Sequence, residues 1–531
     1  MNDLKILEKL FSIGQLSRRE FLSRAAALGM TAALSPALLS TPARASTPKK
    51  GGRLRMGLTG GSTTDSLDPG LIADTLPLSI NWSLRNNLVE VDASGNAIPE
   101  LAESWEASSD ASVWYFKLRK GVEFHNGKTL DAQDVIDSIN RHRGIESNSA
   151  AQGIVDPIKD ITADGKSMVV FHLDGGNADF PYIMSDYHLT IQCAGTKGAV
   201  FEKGIGTGGY TLVSHEPGVR ALVKRYPNYW KEGRAHFDEV ELLGITDTNS
   251  RTNALKSGQV DAMNSPDTRT LHLLKKSPGI NVFQTTGYMH FTFPMHSDVK
   301  PYDNNDVRLA LKFACPREQM VDIILRGAGS VGNDHPIASI MQFYNSELPQ
   351  TKFDPDKAKY HLKKAGAEGH TFRLHSSAGA FNGAMDAAVL YKEGAAKAGI
   401  NIEVVQEPGD GYYNNVWLKK PWCASYWSGR ATADWMFSTC FSGDAKWNET
   451  HFNHKRFDKL LHDARAELDQ EKRREMYFEC QKIVRDESGC VIPMFADLLI
   501  GASKKLGHPE KIGGNWEMDG ERMMERWWFN S

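Results

Sequence analysis

The sequence contains no uninterrupted apolar run of about 18 residues, so no segment reads as a membrane-spanning helix. It has no excess of positive charge. Lys and Arg number 62 against 65 Asp and Glu, a formal net charge of -3. That balance argues against a nucleic-acid binder relying on overall charge, and nucleic acid is not expected as a partner. Cysteine is scarce: the six present form no CxxC pair or other zinc template, and no metal ligand set is assigned. There is no G-x-S-x-G elbow, no HExxH and no Ser/Lys signature, so no catalytic residue is assigned either. No cofactor is implied. Internal repeats and low-complexity tracts are also absent, which excludes solenoid and linker-rich architectures.

What remains is a chain of 531 residues, 41% apolar and 24% charged, ordinary values for a globular protein. That length exceeds one compact core and predicts roughly two or three domains or lobes. The N-terminus reads as a targeting segment rather than as fold. In "LSRREFLSRAAALGMTAALSPALLSTPARA", Arg18-Arg19 and Phe21-Leu22 precede an apolar run from Ala25 to Leu39. Ala43-Arg44-Ala45 supplies a small-x-small cleavage site. The pattern resembles a twin-arginine signal over residues 1–45, cleaved after about Ala45. No cysteine adjoins that site, so a lipid anchor is not expected and the periplasm is the expected location.

Strand and helix patterns alternate along the rest, which predicts an α/β class. "SVWYFKLRKGVEF" alternates apolar and polar residues and turns at "HNGK". "TLDAQDVIDSINRHRG" carries Leu130, Val135, Ile136 and Ile139 at helical spacing, with Thr129 as candidate N-cap. "RTNALKSGQVDAM" predicts a helix stopped by Gly258. "NDVRLALKFACPREQMVDIIL" predicts helix broken at Pro316. "TFRLHS" and "NIEVVQ" read as strands on either side of a helix, and residues 455–487 as two amphipathic helices.

Several local patterns invite chemistry and have blander readings. "GIGTGGY", Gly204–Tyr210, suggests a phosphate loop, but a strand-like stretch follows it where a helix is needed. His451 and His454 with Glu449 could seat a metal, but no further ligand is evident and surface histidines explain them. "HSSAG" at 375–379 is a serine cluster without an elbow. Cys315 and Cys480 fall on apolar helix faces and read as core thiols, whereas Cys423 and Cys440 flank one aromatic segment and could form a disulfide.

Six or more blocks, in order, resemble one family. They include "GNAIPELAESWEASSDASVWYFKLRKGVEFHNGKTLDAQDV", "GTGGYTLVSHEPGVRALVKRYPNYW", "ALKSGQVDA", "PYDNNDVRLALKFACPREQMVDIILRGAG", "FDPDKAKYHLKKAG" and "WSGRATADW". Together these resemble the extracellular solute-binding proteins of peptide/nickel ABC importers, the dipeptide- and oligopeptide-binding group. The resemblance implies a two-lobed, hinged periplasmic-binding-protein fold, type II-like, with a subdomain inserted in the first lobe. Residues 46–86, 212–290 and 490–531 would form that lobe, 87–211 the insertion and 291–489 the second lobe. It implies a monomer that captures a small organic solute (peptide, modified amino acid or other anionic compound) by lobe closure, without chemistry, and presents it to permease subunits in the inner membrane. An exported metal or haem carrier and an exported hydrolase are the alternatives.

The most informative stretch is "YWSGRATADW", Tyr426–Trp435. Burying a charge beside large aromatics is costly unless something pairs with it. Trp427, Ser428, Gly429, Arg430 and Asp434 match the family's ligand-contacting loop. Where the dipeptide binders resemble one another in presenting an Asp for the ligand amine, this chain has Arg430. The loop "SSAGAFNG" also lacks the Arg expected for a ligand carboxylate. Arg430 could therefore hold a planar anion, or it could pair with Asp434 as structure. Trp427 could stack on the ligand or on Arg430. Tyr288, Met289 and His290 lie where the chain should cross between lobes and are candidate pocket lining, with a hinge-core role as the alternative.

Overall fold

The computed structural model describes residues 48–72, 74–409 and 412–530; the twin-arginine segment lies outside them. Among the described residues no helix is long and apolar enough to cross a membrane. A nine-stranded mixed sheet organises the molecule. Its order runs Ser425–Trp427, Ile280–Thr292, Met494–Ser503, Ala262–Asn264, Arg53–Leu58, Glu239–Gly244, Arg220–Arg225, Tyr210–Glu216, with Gly329–Val331 also pairing onto Met494–Ser503. Leu54, Met56, Val223, Val240 and Leu242 alternate inward on these strands and build a buried core with Trp527.

Two long antiparallel strands, Ile280–Thr292 and Met494–Ser503, run out of that core into a second one that includes Phe291 and Met494. Their pairing is regular from Ile280↔Ser503 to Thr286↔Asp497, then shifts before resuming at His290↔Phe495. Beyond the shift, His290–Thr292 pairs with Ser425–Trp427. A register break of this kind re-aims side chains locally, and Tyr288 lies within it.

A separate four-stranded antiparallel sheet, ordered Ala102–Ala107, Val113–Leu118, Met168–Leu173, Ile158–Ala163, has its own core around Phe116, Phe124, Val135 and Phe171. The helix Ala132–Asn140 packs there. Its N-cap is Asp131 rather than Thr129: Asp131 accepts from the Gln133 and Asp134 amides, and Asp134 reciprocates as a capping box. The core of Phe291 and Met494 also holds a β-α-β unit, the parallel strands Thr371–Ser376 and Asn401–Gln406 around the helix Ala384–Ala396. Helices Asn305–Phe313 and Arg317–Ile323 flank Pro316, and Lys455–Ala466 and Gln470–Glu487 form the expected pair. Gly258, at φ 75°, ends the helix Thr248–Ser257.

All six cysteines are free. Cys423 belongs to the core of Phe372 and Tyr391, whereas Cys440 belongs to the core of Phe437 and Tyr477, so the disulfide expectation fails. Gly206 and Gly208 are needed for close approach: a Cβ on either would stand 2.2 or 2.4 Å from the Leu84 backbone. The strand Tyr210–Glu216 follows directly, so packing accounts for this glycine cluster.

Candidate functional site

A cavity of about 620 Å³ lies between the inserted sheet's loops, the C-terminal segment and the second-lobe loop after Trp427. Its wall is aromatic: Trp82, Tyr182, Tyr187, Tyr288, Trp435, Trp447 and Trp516 all contribute. Tyr187 stands edge-on to Trp516 and to Trp82, with ring centroids 5.4 and 6.3 Å apart. Rings in this arrangement present flat apolar faces at little entropic cost.

The loop that delivers Arg430 is set by sterics. Gly429 has φ 86°, and a Cβ there would meet the Cβ of Tyr288 at 2.2 Å, so only glycine fits. The left-handed turn carries Arg430 onto the cavity wall beside Ser428 and Ala431. Thr432 then caps the helix Ala433–Cys440 by accepting from the Trp435 amide at 3.2 Å. The Arg430 guanidinium lies over the rings of Trp427 and Trp435, at 5.7 and 5.8 Å. It donates to the Gly429 carbonyl at 2.7 Å. Burial lowers its pKa, yet an arginine keeps its charge. Among the described residues no carboxylate lies within ion-pair distance of it.

Asp434 does not neutralise Arg430. Its carboxylate accepts from Arg465 Nε at 3.1 and 3.2 Å, and burial raises its pKa to about 6. Asp434 and Arg465 line an adjoining cavity of about 510 Å³, which shares Gly153, Ile154 and Trp435 with the first. Beside it the inserted subdomain meets the second lobe. Arg473 donates to Asp179 at 2.7 Å, both buried, and the Ala178 amide donates to the Arg465 carbonyl at 2.7 Å.

Of the other candidates from sequence, Tyr288, Ser428 and Gly429 line the main cavity with Arg430. Trp427, Met289 and His290 do not. Trp427 is buried behind the wall, in contact with Trp417 and with the wall residue Trp447. Met289 packs into the second-lobe core. His290 stacks obliquely on Phe495 and is fully buried, which lowers its pKa to about 4. Strand alternation turns Met289 away from the face Tyr288 uses. His290, two residues on, lies past the register shift, where the strand pairs with Ser425–Trp427 and its ring is buried against Phe495.

Residues distant in sequence complete the site. Asp186 faces the cavity and accepts from the His188 amide and Nδ1, at 3.0 and 2.7 Å. The other His188 nitrogen meets the Ile72 carbonyl at 3.1 Å. Glu90 and Arg522 reach the wall from a buried ionic network. Lys231 lies 2.6, 2.7 and 3.1 Å from Glu90, Glu100 and Glu525. Arg522 contacts Glu100 and Glu525 at 3.1 and 3.3 Å, and Arg526 contacts Glu90 at 2.6 Å. Although desolvation opposes it, the surrounding cations hold Glu90 well below the usual carboxylate range.

The remaining motif residues are dispersed. Glu449 accepts from Trp417 Nε1 at 2.7 Å, and burial pushes its pKa up to about 7. His454 caps the helix Lys455–Ala466 and lies 3.3 Å from Glu487. His375 pairs with Glu407 at 2.6 Å, while the Ser376 hydroxyl is buried without a partner, so "HSSAG" assembles no nucleophile with a base.

Comparison with known proteins is consistent across sequence and structure. Residues 96–449 match the model of the bacterial extracellular solute-binding proteins, family 5. The chain is similar to the dipeptide-binding protein of Escherichia coli (strain K12), 27% identical over 452 residues, covering 77% of this chain and 83% of that one. It is also similar to heme-binding protein A of Haemophilus influenzae, 26% identical over 438 residues, covering 76% and 80%. Among solved structures, HbpA2 from Haemophilus parasuis superposes with a TM-score of 0.79 at 22% identity, over 88% of this chain and 99% of that one.

Proposed function

The chain belongs to the bacterial extracellular solute-binding proteins of family 5, and on that premise we propose that its cavity captures a small organic anion whose carboxylate is held by Arg430. The chain is the substrate-binding component of an ABC importer. One observation carries the ligand reading: Arg430 is a half-buried cation on the cavity wall with aromatic rings around it and, among the described residues, no carboxylate partner. A guanidinium in that state favours a planar, bidentate anion. Asp186, on the inserted-subdomain side, suits an ammonium, so a peptide or modified amino acid carrying both charges fits the pair.

Arg430 belongs to the second lobe, whereas Trp82, Asp186 and Trp516 come from the other wall. A ligand bridging them therefore favours the closed arrangement through its differential contacts. The closed form would present the ligand to the permease subunits, and release would return it unchanged. The reading includes export by the twin-arginine route, function as a monomer and no catalytic step. A haem carrier is the weaker reading. The lining offers no cysteine or methionine, its single histidine, His188, has both ring nitrogens engaged, and burial disfavours the phenolate that Tyr182, Tyr187 or Tyr288 would need as an iron ligand.

Mass spectrometry of the small molecule released from gently purified protein tests this reading. The expected result is an intact carboxylate-bearing compound. A neutral ligand, or one recovered only as cleaved products, would overturn it.

A further inference from the structure

Away from the cavity, two loops of the second lobe bring together a donor set that the solute-binding role does not use. His296 stands shortly beyond the end of the strand Ile280–Thr292, and its amide donates to the Pro421 carbonyl at 2.8 Å. The next amide, Ser297, donates to the Thr450 carbonyl at 2.7 Å. These bonds fix the loop of His296 and Asp298 against the loop of His451. The three side chains then converge: one donor atom of each lies within 4.8 Å of the other two.

The arrangement is held at a cost. His451 adopts φ 50°, a left-handed conformation that side-chain-bearing residues seldom take. That turn places its ring on His296, with centroids 3.8 Å apart and planes 19° from parallel. Its Nδ1 lies 2.9 Å from Asp298 Oδ1. The Ser297 hydroxyl, closed off from solvent between the two ligand residues in the chain, has no hydrogen-bond partner. His296 is buried. Asp298 is exposed and His451 half-buried, so the cluster opens to solvent on one side. None of the three lines the main cavity.

We propose that His296, Asp298 and His451 form a binding site for one divalent transition-metal ion, separate from the solute cavity. Two imidazoles and one carboxylate suit Zn²⁺, Ni²⁺ or Co²⁺ rather than Mg²⁺ or Ca²⁺, which take oxygen donors. Water completes the coordination. An ion about 2.0–2.2 Å from each donor draws the donors to roughly 3 Å from one another. Stacked imidazoles direct their lone pairs side by side, so His451 turns out of the stack as the ion enters. His451 and Asp298, the accessible members, supply that movement, while the buried His296 stays in place.

The site is tested with untagged protein stripped with a chelator and titrated with ZnCl₂ and NiCl₂ by calorimetry. One saturable equivalent is expected. Asp298→Asn and His451→Ala, both outside the core, should each weaken binding by about tenfold or more. His296→Gln should do the same with an unchanged circular dichroism spectrum. Arg430→Ala should leave metal binding unaltered. With Cu²⁺ as probe, electron paramagnetic resonance should show two nitrogen donors, falling to one in His451→Ala. Absence of saturable binding, or binding that survives the Asp298→Asn/His451→Ala pair, overturns the assignment.

Discussion

Two guanidiniums reach the same cavity and stand over tryptophan rings, yet their surroundings are opposite. Arg522 lies 4.8 Å over Trp82 and contacts Glu100 and Glu525. Arg430 lies over Trp427 and Trp435, and among the described residues its one hydrogen bond goes to the Gly429 carbonyl. Arg522 is buried and Arg430 half-buried, so desolvation opposes both charges, that of Arg522 more strongly. Arg522 recovers that cost within the protein, from carboxylates that also bind Lys231. Arg430 leaves it unrecovered until a ligand supplies the anion. Glu449, close to Arg430 in the chain but bonded to Trp417, shows the complementary solution. A buried acid without a cation can give up its charge by holding its proton, whereas arginine cannot. A paired cation is therefore read as structure, and an unpaired one as a receptor.

The difference should show first in stability. Arg522→Ala leaves the buried charges of Glu100 and Glu525 to share Lys231 alone and should cost about 3–5 kcal/mol, read as a large drop in the thermal or denaturant midpoint. Loss below about 1 kcal/mol would put Arg522 in the same class as Arg430. The second test concerns Glu449. The unfolded chain releases this proton near the ordinary glutamate value, and the folded protein holds it to about 7. Between those values the native state binds more protons, so stability should fall as pH rises through that window and level off above it. The decline should be about 3 kcal/mol. Glu449→Gln keeps an acceptor for Trp417 and should flatten the curve, which urea melts at stepped pH would reveal. An unchanged slope would mean that the carboxyl is already ionised and paired in solution.

The fold was legible because its elements carry local signals. The break at Pro316, the stop at Gly258, and the alternation in "TFRLHS" and "NIEVVQ" are all one-dimensional patterns, and the structure follows them. The cap at Asp131 was misassigned to Thr129 because either side chain could accept an amide, and only geometry chooses. Half of the site was legible in the same way, through an arginine among tryptophans. The other half joins residues hundreds of positions apart: Trp82, Asp186 and Arg522 meet Arg430 only through tertiary packing. One signal was available, since "GERMMERWW" sets Arg522 and Arg526 among methionines and tryptophans as conspicuously as Arg430. The same cost of burying charge would have flagged it. Met289 was over-read because a strand crossing a cleft offers only alternate side chains to it, and His290 because the register shift after Thr286, which no local pattern announces, buries it against Phe495.

Removing the receptor itself should separate binding from stability. Arg430→Ala is expected to weaken an anionic ligand by about 10–100-fold, the worth of charge-assisted hydrogen bonds. Stability without ligand should change by less than about 1 kcal/mol, because no internal carboxylate is stranded. Arg430→Lys should recover only part of the affinity, since an ammonium lacks the planar fork. Calorimetry with the ligand identified by mass spectrometry decides it, and undiminished affinity in Arg430→Ala would assign anion recognition elsewhere.

The smallest expected effect asks how far Arg430 depends on its mounting. Thr432, two residues on, caps the helix Ala433–Cys440, which carries the wall residues Trp435 and Thr439. Thr432→Ala leaves every charge in place and frees the Trp435 amide of its partner. The stability cost should be about 1 kcal/mol. If the cap only stabilises the helix, ligand affinity will not move. If it also holds Trp435 beneath the guanidinium, affinity should fall a few-fold, because the arginine must be ordered at the moment of binding. Comparing Thr432→Ala with Thr432→Ser, which restores the acceptor, distinguishes these outcomes. Affinity recovered along with stability in the serine variant would show that Arg430 is a receptor by preorganisation as well as by charge.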